Sequence, residues 1–303
     1  MYFSGQSADG YLKQYFCLTL LLLAFGFLLS PANLPAQAEN KPEKNSHTLL
    51  IQGYEQLKTG NIDDALVIFD KVLEQDASNL KARLGQAIIF SEQKRHEDAF
   101  IAYDWITQQN PQHIDAWNGR GLAAFNMENF DEALASFQMT IVDQPVNGFY
   151  YESIAWTQMC LGDFQEAAES AKQALLMYNS KGETSLYPLL IAYFSYHESG
   201  SAENALRTLQ YASKNKPSNQ WPAPVIDYLN GKIDESEMIS FVSNPSEETE
   251  AHTYIGLYMR LLGEIEIADR HLGWVSKYGD SQVFEYILAR ALKPQKSVVM
   301  HTL

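Results

Sequence analysis

Seven histidines offer the most versatile chemistry in this 303-residue chain: His47, His96, His113, His197, His252, His271 and His301. A structural zinc site or a metalloprotease helix sets two of them three to five positions apart, and no two stand at that spacing. His252 and His271 fall on different helices of one stretch and can approach each other, but two imidazoles fall short of a metal's ligand set. Paired acids are commoner. Asp63-Asp64, Glu97-Asp98 and Asp131-Glu132 recur at one slot of a repeating pattern. That recurrence marks charges at the positive end of a helix dipole, not a general acid and its base. Gly119-Arg120-Gly121 imitates a phosphate loop, yet it lies inside a helical pattern where small residues let backbones approach. The sequence has no G-x-S-x-G, P-loop or G-x-G-x-x-G motif. The expectation is a protein with no catalytic residues, no bound metal and no cofactor.

The elements that hold these residues follow one period. From Ala116 to Pro145 the chain reads as two amphipathic helices with a break near Glu128 and Asn129. Gly121 and Ala133 sit where two backbones must come close, and Trp117 is expected in the core. Units starting at Ser46, Leu80, Ile114 and Gly148 repeat the pattern. The first supplies Gly53, Gly60, Ala65 and Phe69, the second Ala87, Phe90, Ala99, Tyr103 and Pro111, and the fourth Ala155, Gly162, Ala167 and Ala174. This order resembles the thirty-four-residue tetratricopeptide repeat (TPR). The resemblance implies an all-α fold, a right-handed superhelical solenoid of antiparallel helix pairs.

On that frame the chain divides in order. Residues 1–38 read as a signal peptide with cleavage after Ala38, and residues 39–45 as a polar linker. Four contiguous units occupy 46–181, and a fifth, shifted by four residues, occupies 182–219. An irregular helical insertion with Trp221-Pro222, Pro224 and Pro245 fills 220–248, with short helices expected at 225–230 and 235–242. A sixth unit takes 249–278, a capping helix 279–292 and a tail 293–303. Stacked repeats need such a cap because each unit's apolar face is otherwise bare.

Composition narrows the function. Hydrophobic residues are 46% of the chain, enough for a continuous core, and the formal net charge is −15. So acidic a surface repels phosphate backbones and disfavours nucleic-acid binding. Of the two cysteines, Cys17 lies in the N-terminal apolar run, which leaves Cys160 as a half-buried helix residue and no disulfide framework. The apolar run from Phe16 to Leu29 is short for a membrane span. The expected destination is the periplasm or the exterior, with anchoring through an uncleaved N-terminal segment as the alternative.

A second resemblance starts near Leu189. Trp221-Pro222, Tyr228, Gly231, Glu250-Ala251-His252, Tyr254, Gly256 and Glu285-Tyr286 occur in the order of NlpI-type bacterial envelope proteins. That resemblance implies a periplasmic adaptor for peptidoglycan hydrolases or proteases, and a homodimer. The lipid-attachment cysteine of the namesake is missing here, so outer-membrane anchoring does not carry over.

In a solenoid of this kind, the first helix of each pair lines the concave surface. The groove position that is usually polar holds Tyr54, Ile88, Leu122, Trp156, Phe194 and Leu257, and three residues on stand Leu57, Phe125 and Met159. Tyr54, Leu57, Ile88, Leu122, Phe125, Trp156, Met159 and Phe194 form the expected partner-binding groove for an amphipathic helix or extended peptide. Packing of the strip against its neighbours or against 220–248 is the competing expectation. A carboxylate clamp is disfavoured, because Lys58, Lys81, Asn118 and Asn126 are scattered among Glu92, Asp115, Glu152 and Glu198. An assembly factor for a pilus or secretion complex would use the same scaffold. A glycan- or peptidoglycan-binding module would stack sugars on Phe149 and its neighbours.

Overall fold

The computed structural model describes residues 41–217 and 220–292, and they form helices joined by short turns. The expected signal peptide 1–38 and tail 293–303 lie outside the described residues. Two compact units result, one holding residues 41–146 and the other 147–292.

In the first unit the pairs are α1 (Lys41–Lys58) with α2 (Ile62–Gln75), α3 (Leu80–Glu92) with α4 (His96–Gln109), and α5 (Ile114–Asn126) with α6 (Phe130–Asp143). Helix α1 begins inside the stretch expected as a linker, because Pro42 suits a helix's first turn, where its missing N–H has no partner to lose. The second unit opens with α7 (Gly148–Leu161) against α8 (Phe164–Ser180), and α9 (Tyr187–Glu198) against α10 (Ala202–Asn215). Two short helices, α11 (Ala223–Leu229) and α12 (Glu235–Ile239), fall close to the two expected in the insertion. The pair α13 (Pro245–Leu261) and α14 (Ile265–Tyr278) follows, then α15 (Phe284–Ala291). The fold is an all-α solenoid of helix pairs.

One local conformation sets the period. Gly60, Lys94, Glu128 and Gly162 all take positive φ, at 81°, 57°, 59° and 83°. At each, the next residue's N–H reaches back to a carbonyl five positions earlier: Asn61 to Gln56, Arg95 to Phe90, Asn129 to Ala124 and Asp163 to Gln158. These bonds cover carbonyls that a helix end leaves open. The chain then re-enters a helix whose first turn carries Asp63 and Asp64, Glu97 and Asp98, or Asp131 and Glu132. The acid pairs therefore sit at helix starts, where the dipole favours them.

Packing repeats with the same period. Ala65, Ala99, Ala133 and Ala167 are fully buried, and so are the rings of Phe69 and Phe137. A Cβ placed on Gly121 would stand 2.6 Å from Phe137, and one on Gly85 would stand 2.4 Å from Phe69. Only glycine lets the ring lie on the backbone there. Arg120, between two such glycines, cross-links neighbouring helices through Asp104 at 2.8 Å and Glu132 at 2.7 Å, under the ring of Phe100. Trp117 departs from its expected core position. It is half-buried, its Nε1 donating to the Pro111 carbonyl at 2.8 Å, so it braces the preceding turn.

A side chain in left-handed backbone costs about 1–2 kcal/mol. Lys94→Gly should therefore raise the unfolding free energy by about 1 kcal/mol, as read by urea denaturation, while Gly60→Val should lower it.

Candidate functional site

The inner face of each unit is built by the first helices of its pairs. In residues 41–146 that face carries Tyr54 on α1, Ile88 on α3 and Leu122 on α5. Tyr54 and Leu122 are half-exposed and Ile88 is just buried. The Tyr54 hydroxyl donates to the Lys81 carbonyl at 2.8 Å, and its ring meets Phe69 edge-on at 5.0 Å. These bonds hold the ring in place and leave part of it open to solvent. Burial pushes the Tyr54 phenol well above its ordinary range, so it stays a neutral donor. The substantial helix contacts of this unit all join helices one or two apart along the chain. Leu57 and Phe125 do not belong to the open strip. Both are buried, and Phe125 meets Phe130 of the partner helix in its own pair at 5.6 Å.

The inner face of residues 147–292 is covered from within. Trp156 and Phe194 are each 1% exposed and Met159 2%. Phe284 of α15 stacks on Trp156 with ring centres 6.1 Å apart and planes 8° apart, and meets Phe149 edge-on. Phe194 stacks in the same manner on Tyr254 of α13. Trp156, Met159 and Phe194 therefore line no open groove, since the last helix folds back onto α7 and α13 fills the space beside α9. The covering elements are the terminal helix over Trp156 and the neighbouring helix α13 over Phe194. In the aromatic run at 149–151, Phe149 and Tyr150 are buried and so cannot stack a sugar.

Beneath α15 lies a cluster of acids. Glu152, Glu250 and Glu285 are all buried, and among the described residues no ion pair reaches any of them. The Tyr187 hydroxyl and the Trp221 indole N–H donate to one oxygen of Glu250 at 3.0 and 2.6 Å, and the Tyr254 hydroxyl donates to Glu285 at 2.6 Å. The other Glu250 oxygen and one Glu152 oxygen have no hydrogen-bond partner. Burial pushes the Glu152 carboxyl up to about 8 and the Glu285 carboxyl up to about 7. Glu250 is raised well above the carboxylate range, by burial first and then by the charge of Glu285. These residues were missed as a cluster in the sequence, although Glu152 and Glu285 carry a telling sign, a lone carboxylate within an apolar helical run, which Glu250 beside Glu247 and Glu248 does not.

His252 and His271 do meet. Their Nδ1 atoms are 2.8 Å apart, with His252 stacked on Trp274 at 4.1 Å. That separation is a hydrogen bond, in which one nitrogen keeps a proton; two ligands of one zinc would stand roughly 3.4 Å apart, given bonds of about 2.0–2.1 Å in a tetrahedron. Burial, and then the His271 ring, hold His252 down to about 4, so the pair remains neutral. Among the described residues, no cluster of three or more His, Cys, Asp or Glu could hold a metal ion. No described helix is long and apolar enough to cross a membrane.

Known proteins share this architecture. Residues 52–114 and 102–147 match the model of the tetratricopeptide repeat. Superkiller protein 3 of Saccharomyces cerevisiae is 32% identical over 77 residues, 25% of this chain and 5% of that protein. ER membrane protein complex subunit 2-A of Xenopus laevis is 28% identical over 158 residues, and the chain spans about half of that subunit's length. Among solved structures, a tetratricopeptide repeat protein of Parabacteroides merdae superposes with a TM-score of 0.59 at 13% identity, over 82% of this chain and 98% of its own. YrrB, described as a TPR protein with an unusual peptide-binding site, superposes with a TM-score of 0.52 at 16% identity, over 60% of this chain and 95% of its own. At these identities the structural likeness establishes the fold.

The two inner faces should respond differently to truncation. Trp156→Ala removes a stacked core ring and should cost about 3–5 kcal/mol of unfolding free energy. Leu122→Ala, at a half-exposed position, should cost about 1 kcal/mol. Urea unfolding monitored by helical circular dichroism reads both.

Proposed function

We propose that this tetratricopeptide-repeat protein is a non-enzymatic scaffold that docks a protein partner on the inner face of residues 41–146. The observation that carries the reading is the contrast between the two units. Equivalent apolar positions are sealed by the chain's own helices in 147–292, while Tyr54 and Leu122 stay half-exposed in 41–146. Apolar side chains presented side by side on successive helices suit an amphipathic helix or extended peptide. Residues 41–146 also carry 16 Asp and Glu against 9 Lys and Arg. The favoured ligand therefore combines apolar anchors with basic flanks, the anchors supplying affinity and the charges speeding encounter. A peptide site is described on YrrB, which supports the same use of the repeat here.

The finer identity of the partner rests on the sequence. The apolar N-terminal segment supports export, and the resemblance of the second half to NlpI-type proteins supports an envelope hydrolase or protease as the docked protein. A homodimer belongs to the same expectation. The sealed rings at 149–150 count against a glycan-binding role.

Affinity capture from native cell extract, with mass spectrometry, tests the reading. The wild-type protein should retain a defined protein partner, and the double variant Tyr54→Ser, Leu122→Asp should lose it at least tenfold with helical circular dichroism unchanged. Undiminished capture by the variant would overturn the assignment of this face. Retention of peptidoglycan alone, after protein partners are stripped, would overturn the scaffold reading.

A further inference from the structure

Helix α15 is held by an arrangement that depends on protons. It rests on three helices: α7 through Phe149 and Trp156, α13 through Tyr254, and α14 through Leu272 and Val275 around Ala289. Its second residue, Glu285, is driven into the same buried space as Glu152 and Glu250. Glu152 comes from α7, Tyr178 from α8 and Tyr187 from α9; Glu247, Glu250 and Tyr254 come from α13; and the Trp221 indole comes from the turn before α11. Helix α14 presents apolar side chains to α15. Among the described residues, Arg260 is the cation that reaches α15 from a neighbouring element, and its guanidinium donates to the Leu292 carbonyl at 3.1 Å, at the far end of the helix from Glu285. Every group against the three acids is therefore either another acid or a neutral donor. Two of their oxygens are buried with no hydrogen-bond partner at all.

We propose that α15 is a proton-held latch over the inner face of residues 147–292, closed while the acids beneath it keep their protons and released as they ionise. Opening would expose Phe149 and Trp156, the latter in the slot that Leu122 fills in the first unit, so the second inner face becomes available only when the latch lifts. The sign follows from linkage. In the open form the three acids meet water and titrate near the ordinary glutamate value, roughly 4.3. In the closed form Glu285 titrates at about 7 and Glu152 at about 8. Between these limits closing takes up protons, so acid holds the latch and rising pH weakens it. Each proton taken up on closing multiplies the opening constant by about ten per pH unit. The stabilisation is fully present below about 4.3 and is spent once pH has passed the closed-form values.

Amide hydrogen exchange of the full chain, read by mass spectrometry for residues 284–291 and divided by the intrinsic rate at each pH, measures the opening. From pH 5.5 to 7.5 the opening constant of this segment should rise about 20-fold through Glu285 alone, while that of residues 187–198 changes little. Glu285→Gln keeps the shape and cannot ionise, so it should flatten the dependence by that factor; Glu152→Gln should flatten it as well and serves if the first variant fails to fold. An opening constant that ignores pH in the wild-type protein would overturn the latch. So would a full slope in whichever of these variants fold, or equal opening of 187–198, which would mark unfolding of the unit as a whole.

Discussion

A helix backbone can lie against an aromatic ring only where a side chain is missing. That constraint organises the repeat. Phe69 and Phe137 each fill the space that a Cβ on Gly85 or Gly121 would need. The ring fixes how far apart successive helices stand, and the fully buried alanines at 65, 99, 133 and 167 keep each pair equally close. With spacing set this way, the remaining choices along the chain are local. Left-handed residues at 60, 94, 128 and 162 turn the chain at one interval, and acids start each returning helix. The outward faces then carry the charge that gives the chain its acidic balance.

The same constraint explains how much of the fold was legible. A repeat writes its packing rule several times over, so Gly121, Ala133 and Phe137 gain meaning from Gly53, Ala65 and Phe69. The helix pairs followed from such patterns, whereas the two short helices near 223–239 lie in the stretch that departs from the repeat. The binding strip was only partly legible. Periodicity placed Tyr54, Ile88, Leu122, Trp156 and Phe194 at equivalent slots, and equivalence by slot says nothing about what else will cover them. The cover on Trp156 is Phe284, about 130 residues later. No local pattern encodes a contact of that span. Trp117 failed for a smaller reason, because its slot is bulky in any such repeat and only geometry shows the ring leaning on Pro111.

Buried acids are a costly choice for a core that could have been apolar. A carboxyl taken from water with no cation beside it gives up its charge instead of its position. Glu152, Glu250 and Glu285 therefore act as neutral hydrogen-bonding groups, arranged with two tyrosines and an indole where α7, α9, α13 and α15 converge. The paired imidazoles of His252 and His271 add a second neutral, hydrogen-bonded contact between α13 and α14. In the second unit, polar contacts that depend on protonation stand among the apolar ones, whereas Arg120 in the first unit makes ordinary ion pairs with Asp104 and Glu132.

The return of α15 onto α7 also divides the order in which the molecule can be made. Contacts in residues 41–146 join neighbours in sequence, so each pair can settle as soon as the next has left the ribosome. Helix α7 emerges well before α15 and must wait, with Phe149 and Trp156 uncovered, through the synthesis of more than a hundred further residues before Phe284 arrives. During synthesis the second unit is thus the one in need of protection, and its aromatic inner face is the surface a chaperone would meet.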